Sequence, residues 1–123
     1  MKTVITTVGT SLLTNRTDDR PWKGWSFGTK LPDQSEVVEW LANADPKKAS
    51  AEIHTWYKLG LFNNPNFHNI VLIHSQTKNG KYCATSLKKF AENKKIKSVE
   101  IREVYELIRN STNLRNRDFY INI

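Results

Sequence analysis

The stretch "NIVLIHSQTKNGKYCATSLKKFAEN", residues 69–93, decides how this chain folds. Ile70, Val71, Leu72 and Ile73 run without alternation. Such a run suits a strand covered on both faces, as in a parallel sheet; a strand with one wet face alternates. The polar segment His74 to Gly80 follows. Apolar residues then recur at helical spacing, with Cys83, Leu87, Phe90 and Ala91 on one face. Lys81, Thr85, Lys88, Lys89 and Glu92 fall on the other. The pattern predicts a helix over about 81–93, capped by Asn79, with Gly80 easing the turn.

Upstream, residues 2–8 are rich in β-branched side chains and predict a first strand, punctuated by Gly9. Asp33 with Glu36 three residues on reads as a capping box. The helix it opens should run to about Ala42 and bury Val37, Val38 and Leu41. Asp45-Pro46 opens another, with Asp as N-cap and Pro at the first helical position. Its apolar face is Ala49, Ile53, Trp56 and Tyr57, and Gly60 ends it. Downstream, "KSVEIREV", residues 97–104, predicts a third strand. A short helix is expected through Tyr105 to Ile108. "RDFYINI", residues 117–123, fits a strand or a helical turn equally well.

Strand, helices, strand, helix, strand is the α/β pattern. One domain is expected from 123 residues, of which 38% are hydrophobic and 25% charged. No window approaches the roughly 18 apolar residues of a membrane span. The start does not read as a signal peptide, and a cytoplasmic location follows as the default. Cys83 is single, so it forms no internal disulfide, and its place on the apolar face predicts a core role. His54, His68 and His74 lack metal-ligand spacing, so no metal and no cofactor is expected. Lys and Arg number 19 against 12 Asp and Glu, a net charge of +7 that points to an anionic partner, or to solubility alone.

Ligands of open α/β sheets bind at the carboxyl ends of the strands, and two polar loops are expected there. The first holds Gly9, Thr10, Ser11, Leu12, Thr14 and Asn15. Glycine permits a tight turn, and the hydroxyls and free N–H groups suit phosphate or ribose oxygens. A capped strand-to-helix turn explains the same residues. The second loop is His74, Ser75, Gln76, Thr77, Lys78, Asn79 and Gly80, with Lys81 just beyond. Lys78 and Lys81 are placed to meet an anion. His74 is a candidate acid or base only if a substrate proton lies within reach, and otherwise a hydrogen-bonded structural residue. Neither a P-loop nor a dinucleotide fingerprint is present. Residues 10–32 form a long irregular loop. Asp18 and Asp19 are read as solvent-exposed, and Trp22 and Trp25 as pins onto the core rather than base-stacking platforms.

Three blocks, "ITTVGTSLLTN" (5–15), "LPDQSEVVEWLANADPKKASAEI" (31–53) and "LIHSQTKNGKYCATSLKKF" (72–90), together resemble the CARF domain, the CRISPR-associated Rossmann fold. The likeness is to the sensor portion of type III CRISPR ancillary ribonucleases and related ring nucleases. It implies a Rossmann-like three-layer α/β domain with a small, mainly parallel sheet. Residues 1–123 read as one minimal CARF-like domain with no effector domain: a stand-alone sensor, a ring nuclease, or a fragment truncated from a longer effector. It also implies a homodimer that binds a cyclic oligoadenylate, cyclic tetra-adenylate foremost, across its two-fold axis. Gly9, Thr10 and Ser11 with Ser75, Gln76 and Thr77 would meet the ring. Where the family often has Ser-Asp-Thr, this chain has Ser75-Gln76-Thr77.

Two function classes follow from the resemblance. One is a messenger-binding sensor that stands alone or passes the signal to a separate effector protein. The other is a metal-independent ring nuclease, in which a ribose 2′-hydroxyl attacks the adjacent phosphate. Ser11 and Thr10 would then position ribose and phosphate, and Lys78 or Lys81 would stabilise the transition state. A third reading sets the resemblance aside: RNA binding through Lys88, Lys89, Lys94, Lys95 and Lys97, a run that a solvated helix face explains as well.

Overall fold

The computed structural model describes residues 1–14, 20–22 and 25–104. Three parallel strands form the sheet in the order β1-β2-β3, with β1 Lys2–Thr7, β2 His68–His74 and β3 Ser98–Glu103. The register sets Val4 beside Ile70 and Ile70 beside Val99. Those residues face the helices and join one core with Leu72, Cys83, Leu87, Phe90 and Trp56. The described residues supply helices to this face alone. The second helical layer of the expectation is not among them, and the opposite face carries Ile5, Val71, Ile73 and Glu100. The short helix predicted at 105–108 and the segment 117–123 lie outside the described residues.

The connection from β1 to β2 holds α1 Ser11–Thr14, α2 Gln34–Asn43, α3 Pro46–Ala49 and α4 Ala51–Lys58. Asp33 caps α2, its carboxylate accepting the Glu36 N–H at 3.1 Å. Val37, Val38 and Leu41 are buried, as the spacing predicts. The Ser35 hydroxyl and the Glu36 N–H hold the Asp33 carboxyl below its ordinary pKa. Trp56 Nε1 donates to Thr6 Oγ1 at 3.0 Å and ties α4 to β1.

The single helix expected after Asp45 is two. Ser50 leaves the helical region at φ −166°, ψ 163°, and its hydroxyl caps α4 by accepting the Ile53 N–H at 3.1 Å. A serine can satisfy a helix start better than a helix interior, and here it breaks the helix to do so. The break re-phases the apolar face: Ile53 and Trp56 are buried, whereas Tyr57 is exposed. It also releases backbone groups on both sides. Arg20 takes the Ala49 carbonyl at 2.8 Å and also donates to the carbonyls of Lys48 and Leu12. The guanidinium lies over the rings of Trp22 and Trp40, so it staples α1 to α3 from inside the core. Trp22 and Trp25 are buried and pin their loop, as expected.

Helix α5, Lys78–Asn93, covers β2 and β3. It begins three residues earlier than its apolar pattern predicts. Its cap is Thr77, not Asn79: Thr77 Oγ1 accepts the Gly80 N–H at 3.0 Å. Gly80 makes this possible. A Cβ there would lie 2.6 Å from Ser75 Oγ and 2.9 Å from Thr77 Oγ1. Cys83 sits in the core, and burial, with the Glu52 charge as a lesser cause, pushes its thiol up to about 12.

Candidate functional site

The parallel register carries both polar loops to one edge. Val8 N–H donates to the Ile73 carbonyl at 2.8 Å, so pairing continues one residue past β1. Gly9 and Ser75 therefore leave the sheet side by side at the carboxyl ends of neighbouring strands, where open α/β sheets bind their ligands. Gly9, Ser75, Gln76, Thr77, Lys78 and Lys81 are exposed, and Thr10 and Ser11 half-buried.

The first loop is not an empty anion cradle. Gly9 N–H donates to Glu52 Oε2 at 2.9 Å. Ser11 Oγ donates to Glu52 Oε1 at 3.3 Å and accepts the Ala51 N–H at 3.1 Å. Glu52 is buried, with 7% of its surface exposed. An internal carboxylate thus holds the turn, from a position that the sequence reading passed over. The break at Ser50 is what frees Ala51 N–H for Ser11, since the first N–H groups of a helix have no intrahelical acceptor.

Not every residue expected in this loop can face a ligand. Leu12 is fully buried in the core, and its carbonyl accepts from Trp22 Nε1 at 3.1 Å. Thr14 Oγ1 donates back to the Thr10 carbonyl at 3.1 Å, within the turn. Asn15, like Asp18 and Asp19, lies outside the described residues.

The second loop is held by its own hydroxyls. Ser75 Oγ and Thr77 Oγ1 are 2.8 Å apart. His74 is buried, and its Nδ1 donates to the Ser75 carbonyl at 2.6 Å, the hydrogen-bonded structural role. Lys78 and Lys81 stand in the first turn of α5, which has no acidic residue. The positive end of a helix dipole disfavours cations there by about 0.3–1 kcal/mol each. An anion at that end would offset the cost and also meet the Lys78 and Asn79 N–H groups, which have no intrahelical acceptor.

The lysines at the other end of α5 sit differently. Lys94 caps the C-terminus, with its ammonium 5.7 Å from the Phe90 ring centroid, and Lys95 follows with φ 75°. Cations belong at that end of the dipole, so helix electrostatics alone accounts for them. Among the described residues no group of three or more His, Cys, Asp or Glu gathers to hold a metal, and no helix is long and apolar enough to cross a membrane.

A small parallel α/β domain with two polar loops at the carboxyl edge of its sheet is the class that fold and site define. The chain belongs to a CRISPR-associated family: the model described as CRISPR-associated protein (Cas_APE2256) matches residues 47–120, more than half of the chain. The matched span contains Glu52, β2 and the Ser75–Lys81 segment; the Gly9–Ser11 turn precedes it. No curated protein and no solved structure matches.

Proposed function

We propose that this protein binds a cyclic oligoadenylate, cyclic tetra-adenylate foremost, as a messenger-binding module of CRISPR defence. The observation that carries the reading is the placement of Lys78 and Lys81 in the first turn of α5, the helix that follows the strand paired with β1. Two cations are held where the helix alone disfavours them, on an exposed edge, next to hydroxyl groups. That combination suits a ligand with alternating phosphates and ribose hydroxyls. The family membership supports a role in CRISPR biology, and the resemblance of the three sequence blocks to CARF domains is the reason for naming a cyclic ligand. The exposed Gly9, Ser75, Gln76 and Thr77 suit a homodimer that lays one ring across a two-fold axis, each copy offering the same loops. A separate effector protein would then read the bound state.

One observation favours a second reading, the metal-independent ring nuclease. The Ser11 hydroxyl is bonded to a carboxylate, an arrangement that can orient a ribose 2′-hydroxyl for attack on its neighbouring phosphate. Lys78 or Lys81 would stabilise charge on the phosphoryl oxygens.

The protein incubated with cyclic tetra-adenylate or cyclic hexa-adenylate, without added metal, separates the two. Tight binding with the ring recovered intact supports the sensor. Linear products ending in a 2′,3′-cyclic phosphate support the nuclease. Failure to bind either ring, with salt-sensitive binding to linear RNA instead, overturns both.

A further inference from the structure

The geometry around Ser11 fixes its hydrogen-bonding direction as well as its position. A serine hydroxyl has one proton to donate and two lone pairs to receive. Ala51 N–H occupies one lone pair at 3.1 Å. Glu52 Oε1, a carboxylate oxygen that accepts, takes the proton at 3.3 Å. One lone pair remains. The Gly9 N–H is likewise directed at Glu52, at 2.9 Å from Oε2. A phosphate oxygen arriving here would meet an acceptor at Ser11, an N–H already engaged at Gly9, and a buried negative charge behind both.

We infer that Glu52 sets the polarity of the site: it makes the Ser11 end a receiver of hydrogen-bond donors, so a ribose hydroxyl or a base amine docks there, while phosphate docks at the Lys78–Lys81 end. The inference rests on the nucleotide-ligand reading above. Glu52 acts through Gly9 and Ser11 and is a positioning residue. It lines one side of a groove of about 370 Å³ between β1 and α4, together with Thr7, Ala51 and Leu59. The arrangement depends on three separate parts of the chain: the turn after β1, the break at Ser50 and the first turn of α4.

The test is a set of binding titrations with the intact protein. The ligands are cyclic tetra-adenylate, its 2′-deoxy counterpart, and a ring of purine nucleotides lacking the 6-amino group. One of the two modified rings should bind about tenfold more weakly than the parent, the loss of one good hydrogen bond. Which ring weakens identifies the donor. In Glu52→Gln the amide donates to Ser11 and turns the hydroxyl proton outward, so the tenfold difference should disappear. The ratio between rings is the readout, because a merely structural role for Glu52 would weaken all rings alike. If the variant is unfolded by circular dichroism, the wild-type titrations decide alone. Equal binding of all three rings overturns the polarity assignment and leaves the ligand reading standing. No binding of the parent ring overturns the ligand reading and the assignment with it.

Discussion

Glu52 and Gly9 meet across 43 residues of sequence, the buried carboxylate accepting the backbone N–H of the turn at 2.9 Å. The same carboxylate receives the Ser11 hydroxyl. The turn after β1 therefore has its shape imposed by α4, and α4 has its start imposed by Ser50. What the site offers a ligand depends on where one helix breaks.

Lys78 and Lys81 should oppose stability while serving the ligand. Replacing both with glutamine removes two cations from the positive end of α5. The variant should be more stable, by about 0.6–2 kcal/mol in urea unfolding, and should lose at least tenfold in affinity for cyclic tetra-adenylate. A variant that loses stability, or binds unchanged, would count against the placement of phosphate there.

Gly80→Ala should disrupt the second loop. The new Cβ would approach Ser75 Oγ and Thr77 Oγ1 closely enough to displace both hydroxyls, and the Ser75 carbonyl at 3.3 Å limits the escape. Loss of the Thr77 cap alone is worth about 1 kcal/mol. Gly80→Ala should therefore fall at least that far below wild type in urea unfolding, and Thr77→Ala should account for most of the loss. Wild-type stability in Gly80→Ala would contradict the close packing.

Arg20→Met should be severe. The guanidinium reaches the carbonyls of Leu12, Lys48 and Ala49 from a buried position, and methionine leaves them without those donors. A loss of about 3 kcal/mol or more is expected, seen by denaturant unfolding, with the fluorescence of Trp22 and Trp40 altered in the native state.

Cys83 should be silent in the native protein. Burial moves its thiol from an ordinary 9.0 to about 12. Near neutral pH a thiol reagent should label it only as fast as the chain opens, and urea should raise the rate steeply. The raised value also fixes a sign. The unfolded thiol ionises first, so this contribution to stability is complete below about 9 and is lost as pH rises toward about 12. Fast labelling without denaturant would contradict the burial.

Much of the fold is legible in local pattern. The apolar run Ile70–Ile73, the spacing of Val37, Val38 and Leu41, and that of Cys83, Leu87, Phe90 and Ala91 each state a period and a buried face. The placement of both polar loops at one edge follows from parallel strands. The misses have physical causes. Asn79-Gly80 carries a strong turn signal, yet Thr77 caps α5 because the glycine lets two hydroxyls close in. Ser50 reads as an ordinary helix residue until the Leu12, Lys48 and Ala49 carbonyls are seen to converge on Arg20. Glu52 carries no local signal of its role, since glutamates are mostly exposed. Its partners lie 41 and 43 residues away, beyond any local window. Leu12 looked available beside Ser11, but the short α1 turns it into the core.

The central claim is that the turn after β1 and the start of α5 form one ligand site. Backbone amide shifts recorded while cyclic tetra-adenylate is titrated into the protein test it most directly. The account predicts that Gly9, Ser11, Ala51 and residues 75–81 move together along one saturation curve. Shifts confined to Lys88–Lys97, or none at saturating ring, would contradict it.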